Sequence, residues 1–174
     1  MARTIFITGG ARSGKSRLAE GLAHSYGAPL LYVATGSAGD GEMAERIARH
    51  RARRGADWQT IEEPLDLSGV LSGHDGFFGA TLVDCVTLWL TNLLFARGEE
   101  PGPVLAEVRR LAALLPTLKS PVILVSNEVG MGIVPENRLA RTFRDLAGEA
   151  NEILAAAADE VFVTFSGIPL KIKG

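Results

Sequence analysis

The chain has one cysteine, Cys85, so no disulfide can close within it, and none of its Cys/His spacings resembles a zinc site. A reducing compartment suits such a chain, and a cytoplasmic location is expected. Although 47% of the residues are hydrophobic, no run approaches the ~18 consecutive apolar positions of a membrane span. Met1 leads directly into a strand pattern, so a secretory leader is not expected. Charge of one sign is also scarce: 18 Lys and Arg balance 20 Asp and Glu, for a net charge of −2. With aromatics at 6% and no broad basic stripe, neither a nucleic-acid partner nor a polybasic membrane anchor is expected. There is no internal repeat and no low-complexity segment. Only Arg46, Arg49, Arg51, Arg53 and Arg54 form a basic cluster.

At 174 residues the remaining composition fits one globular domain, residues 1–174, with a full-sized core. Its organising stretch is TIFITGGARSGKS, residues 4–16. The β-branched and aromatic run Thr4-Ile5-Phe6-Ile7-Thr8 stops at Gly9-Gly10, and Gly9 opens G-x-x-x-x-G-K-S through Ala11, Arg12, Ser13, Gly14, Lys15 and Ser16. Each residue type has a reason. The glycines let the backbone curl so that successive N–H groups point at phosphate oxygens. Lys15 reaches the β- and γ-phosphates, Ser16 ligates Mg²⁺, and the helix beginning near Lys15 adds its positive end to the same anion site. A nucleoside triphosphate site follows.

A continuous apolar run that suits a strand buried on both faces lies at Pro29–Ala34, further strands read at Ala80–Asp84, at Pro121–Val125, the most hydrophobic, and at Glu160–Phe165, and Trp58–Glu62 alternates like a strand. Helical spacing marks Ser16–His24, Asp40–Arg54, Val86–Arg97, Pro103–Leu115 and Glu136–Ala158, with Pro135 suited to the first turn of the last. Leu65–Gly79 reads as a loop with one short helix, and Gly167–Lys173 as a short extended tail. This alternation predicts an α/β fold whose mostly parallel sheet carries helices on both faces. Ligands in such sheets bind at the carboxyl ends of strands, so the loops after Thr8, Ala34, Asp84 and Val125 share one rim.

Asp84 ends an apolar strand on that rim, where a carboxylate would hold Mg²⁺ beside Ser16; the bland reading is an N-cap for the next helix. His50 lies in a helical pattern among arginines, and the pattern alone leaves open a packed core residue or a nucleophile. The arginines read either as a solvated helix face or as a phosphate clamp. Asn127 and Glu128 follow the most apolar strand and either orient a substrate hydroxyl or cap the glycine-rich turn. His24 and His74 read as solvated, and Cys85 as a core residue.

Taken together, GGARSGKSRLAE, YVATG, EMAERIARHRARR, LVDCVTLWLTNLLF, the stretch SNEVGMGIVPENRLARTFRDLAGEANEILAAAADEVFV and the SGIPLKIK tail resemble the bifunctional adenosylcobinamide kinase/adenosylcobinamide-phosphate guanylyltransferases over nearly the whole chain. The resemblance implies a single-domain, RecA-like P-loop fold and a homotrimer. It implies phosphorylation of adenosylcobinamide by ATP or GTP with Mg²⁺, then transfer of GMP from GTP to adenosylcobinamide phosphate with release of pyrophosphate. It places the guanylyl group on His50, and guanine nucleotide at Gly9–Ser16, Ala34, Thr35, Gly36, Arg51, Ala52, Arg53, Arg54, Glu62 and Asp84. Arg49 stands where some members carry a second histidine, and Gly36 where others have Ser or Ala. Two other readings compete: a P-loop kinase of another small alcohol without nucleotidyl transfer, and a RecA-like regulatory or DNA-handling ATPase.

Overall fold

In the computed structural model, residues 2–36 and 55–174 are described. Seven strands form one sheet in the order β3-β2-β4-β5-β1-β6-β7: β1 (Thr4–Gly9), β2 (Leu30–Ala34), β3 (Trp58–Glu62), β4 (Ala80–Asp84), β5 (Val122–Val125), β6 (Glu160–Phe165) and β7 (Ile168–Lys173). Every pairing is parallel except β6 with β7. The helices are α1 (Lys15–His24), α2 (Leu67–Gly73), α3 (Val86–Ala96), α4 (Pro101–Leu114) and α5 (Arg138–Ala157).

A strand's side chains alternate between faces, so its residue parity sorts the core into two clusters. Phe6, Leu31, Val33, Val83 and Leu124 meet α2–α5, with Trp89, Leu93, Val108, Leu111 and Leu154 among the contributors. Ile5, Ile7, Tyr32, Ala34, Leu82 and Val125 face α1, whose Ala19 and Ala23 lie against the sheet. Both faces of the central strands are thus covered. This explains why β2, β4 and β5 read as unbroken apolar runs rather than alternating ones.

Several sequence expectations are corrected here. The tail after Gly167 is a seventh strand, antiparallel to β6, because Ser166-Gly167 turns the chain back with φ of 50° and 82°. The last helix begins at Arg138 with Asn137 as N-cap, its side chain accepting from Ala140 N, so Pro135 precedes the helix instead of entering it. In the apolar helix α3, Val86, Trp89, Leu90, Leu93 and Leu94 are buried within the chain while Phe95 is exposed. His74 is half-buried, with Nδ1 bonded to the Val70 carbonyl, whereas His24 is exposed with its ring edge-on to Trp58 at 5.5 Å. The helix expected over residues 40–54 lies outside the described residues.

Candidate nucleotide site

β1 delivers the loop. At Gly9 φ is +149°, and a Cβ there would come within 2.5 Å of Thr164 Oγ1, 2.6 Å of the Thr164 carbonyl and 2.8 Å of Ser13 Oγ, so only glycine fits. The buried Ser13 hydroxyl shares a 2.6 Å hydrogen bond with Thr164 on β6, and Gly167 N–H donates to the Ser13 carbonyl at 2.9 Å. The β6–β7 turn therefore braces the loop from outside. Gly14 is the N-cap of α1 in the left-handed conformation and supplies no side-chain acceptor, which leaves the first N–H groups of the helix directed at an incoming anion. Lys15 is 7% exposed, its Nζ donating to the Gly10 carbonyl at 2.5 Å. Burial lowers its pKa from the ordinary lysine value, while the Asp84 carboxylate opposes that shift.

In-register pairing aligns the strand ends. Glu62 pairs with Ala34, Ala34 with Asp84, and Asp84 with Val125, so β3, β2, β4 and β5 finish on one rim. On that rim Asp84 Oδ2 accepts from Ser16 Oγ at 3.1 Å and from the Tyr32 hydroxyl at 3.0 Å. The N-cap of α3 is not Asp84 but Cys85, whose Sγ accepts from Leu88 N at 3.4 Å; the Asp84–Cys85 peptide is cis. Burial first, then the Asp84 charge, pushes the Cys85 thiol up to about 11, which is the behaviour of a structural thiol and not of a nucleophile.

Thr35 is fully buried, and each of its polar atoms has a partner in the protein. Its N–H donates to the Asp84 carbonyl at 3.3 Å, its hydroxyl bridges the Cys85 carbonyl and N–H at 2.8 and 2.9 Å, and its carbonyl accepts from Asn92 at 2.7 Å. Asn92 also donates to the Pro64 carbonyl at 3.2 Å, tying the exits of β2 and β3 to α3. After β5, the Asn127 N–H donates to Thr87 Oγ1 and its carbonyl accepts from Asn151, whose own Oδ1 accepts from Ser126 at 2.6 Å. Glu128 joins the phosphate loop through its N–H to the Gly9 carbonyl at 2.9 Å and caps the turn through Oε1 to Gly130 N–H.

Of the residues singled out from sequence, Gly9–Ser16, Ala34, Thr35, Gly36 and Asp84 gather at this rim, and exposed Glu62 lies one strand further out. His50, Arg51, Ala52, Arg53 and Arg54, with Arg46 and Arg49, lie outside the described residues. Sequence reasoning missed Tyr32, Asn92 and Thr164. Parity was the available signal for Tyr32, two residues before Ala34 and thus on the same face of β2. For Asn92 it was a lone amide inside an apolar helix.

The P4 protein from bacteriophage phi6, in a structure with ADP, aligns with a TM-score of 0.51 at 15% identity over 97% of this chain, which spans 52% of that structure. That likeness shows the fold, a P-loop NTPase-like sheet. The bifunctional adenosylcobalamin biosynthesis protein CobP of Pseudomonas aeruginosa is 48% identical over 97% of this chain and 96% of its own length. The corresponding CobU proteins of Salmonella typhimurium and Escherichia coli are 48% and 46% identical over 97% of this chain and 99% of theirs. A family model described as cobinamide kinase / cobinamide phosphate guanyltransferase matches residues 5–172, which take in the phosphate loop, the Asp84 rim and the bracing β6–β7 turn alike. This chain belongs to the cobinamide kinase / cobinamide phosphate guanyltransferase family.

Proposed function

We propose that this chain phosphorylates the aminopropanol hydroxyl of adenosylcobinamide with ATP or GTP. It then transfers GMP from GTP to the resulting phosphate, releasing pyrophosphate. The observation that carries the kinase step is the meeting of Ser16 and Asp84 beside a complete phosphate loop. One hydroxyl and one carboxylate fit Mg²⁺, which keeps phosphate oxygens and water as its other ligands. Among the described residues no group of three or more His, Cys, Asp or Glu could hold a metal ion. When bound, Mg²⁺ supplies charge neutralisation across the phosphates. The loop N–H groups and Lys15 hold the β- and γ-phosphates in line, and Ser16 and Asp84 hold the metal side.

In the second reaction we assign neutral His50 as the nucleophile on the α-phosphate of GTP. Pyrophosphate leaves, and an oxygen of the substrate phosphate then displaces the imidazole to form the new P–O bond. This assignment is supported by the family likeness and by the arginines around His50 in sequence. Arg51–Arg54 and Glu62 are read with it as guanine-nucleotide contacts, and Thr35 as the residue that fixes the turn after β2. Residues 1–174 act as one domain, as a cytoplasmic homotrimer, and adenosylcobinamide and its phosphate are the acceptors.

Incubation with α-³²P-GTP and Mg²⁺ tests the reading. Label becomes covalent, acid-labile and comparatively stable to base, while γ-³²P-GTP leaves none on the protein. A protein that phosphorylates cobinamide but takes up no α-label is a plain alcohol kinase.

A further inference from the structure

We infer that the Tyr32 hydroxyl is a positioning group for Asp84, fixing the carboxylate that receives the metal–nucleotide complex; this rests on the reading of Asp84 as the magnesium carboxylate. A carboxylate at the end of a strand can turn about two side-chain bonds, and a metal site needs it in one orientation. Ser16 supplies one restraint at 3.1 Å, but Ser16 is itself in the loop that must adjust to phosphate. Tyr32 supplies the second, at 3.0 Å and on the same oxygen, from a rigid strand. Both restraints act on the same oxygen, Oδ2.

The fold makes this contact by register. Tyr32 pairs with Leu82 and Ala34 with Asp84, so Tyr32 and Asp84 are diagonal neighbours on one sheet face, within reach of a long side chain. Tyr32 is 7% exposed, and a buried phenol must spend its O–H on a partner. Its ring is held edge-on by Trp58 at 6.2 Å, and Trp58 in turn by His24 at 5.5 Å. A line of contacts therefore runs from β3 through β2 and β4 to the first turn of α1, ending at the metal side of the site.

Tyr32→Phe removes one oxygen and keeps the ring that Trp58 packs against. Binding of a fluorescent guanine nucleotide is measured for wild type, Tyr32→Phe, Asp84→Asn and the double variant, in EDTA and across a Mg²⁺ titration, with melting temperatures alongside. The Mg²⁺ concentration for half-maximal tightening rises about 10-fold in Tyr32→Phe, metal-free binding changes far less, and the kinase KM for Mg²⁺ rises more than kcat falls. Adding Tyr32→Phe to Asp84→Asn moves the Mg²⁺ midpoint no further. If Asp84→Asn shifts the Mg²⁺ dependence and Tyr32→Phe does not, the inference about Tyr32 is overturned and the metal reading stands. If Asp84→Asn leaves it unchanged, the metal reading falls and takes the inference with it. A loss in Tyr32→Phe that is equal with and without Mg²⁺ marks a purely structural tyrosine and also overturns it.

Discussion

Ser16 and Asp84 stand 68 residues apart in sequence and meet at 3.1 Å, one in the first turn of α1 and the other at the last position of β4. Neither residue is needed to cover the core, so their meeting expresses the task of the rim and not its packing. Ser16→Ala is expected to melt within a few degrees of wild type and to lower the kinase rate about a hundredfold. Lys15→Ala is expected to lose at least as much, since the phosphate loop then lacks its point cation. A steady-state cobinamide phosphorylation assay checks both. Unchanged turnover in either would remove the loop from the kinase step.

Gly9 is the position where shape alone decides. Alanine there would drive a methyl group into Thr164 and Ser13, and both of those hold the loop in place. The expected cost is about 1–3 kcal/mol of stability together with weakened nucleotide binding. Gly10→Ala is the control, because a Cβ at that position meets nothing within 4 Å. Denaturant melts of the pair should separate them, and equal stability would contradict the steric account.

The contrast between these two glycines shows what the sequence could carry. The phosphate loop was legible because its chemistry is local: strand, turn and helix start within thirteen consecutive residues, 4–16. The strands were legible because double burial writes unbroken apolar runs, as in Leu30–Ala34 and Val122–Val125. Tyr32 and Thr164 were not legible, because each acts through a partner set by register across the sheet, and register is a property of the assembled fold. β7 was misread as a tail because Ile-Pro-Leu-Lys-Ile-Lys contains a proline and ends an otherwise parallel pattern. An edge strand tolerates that proline. The α3 helix is apolar nearly all round, a pattern that looks unsatisfied in isolation. Packed between the sheet and its neighbouring helices, it is not.

The proposed nucleophile, His50, is the residue expected to separate the two activities. His50→Ala should lose the covalent α-label and nucleotidyl transfer while retaining kinase activity, because γ-transfer to an alcohol needs no histidine nucleophile. Parallel assays of cobinamide phosphate and its GMP adduct read this directly. Retention of the label would send the search for the nucleophile elsewhere.

Lys173 closes the end of α5. Its ammonium donates to the carbonyls of Ala155, Ala156 and Ala158 at 3.0, 2.8 and 2.6 Å, groups that a helix terminus otherwise leaves to water. Lys173→Met keeps the aliphatic stem and removes the donors. An expected loss of about 1 kcal/mol, discounted for exposure, lowers the melting temperature by about 2–4 °C. Kinase activity at room temperature should be unaffected, and a melt identical to wild type would show that water serves those carbonyls equally well.

The proposed assembly has a candidate contact surface on β7. Ile168 and Leu170 share one face of this edge strand, Ile172 follows within a register shift against β6, and the three are 70%, 55% and 59% exposed; Phe165 adjoins Ile168 across the turn. Native proteins normally protect such an edge. Lys171 and Lys173 do not supply that protection, because they turn inward to Glu160 and to the α5 carbonyls. A row of branched apolar side chains left in water favours a contact with another copy of the chain, though three subunits follow from the family resemblance and not from this surface. Sedimentation at micromolar concentration is expected to give a trimer. Leu170→Asp should shift the distribution toward monomer while leaving the phosphate loop intact, since Leu170 lies outside the Ser13–Thr164 and Ser13–Gly167 braces. A stable wild-type monomer would contradict the assembly. A wild-type trimer that Leu170→Asp leaves intact would place the contact on another face of the molecule.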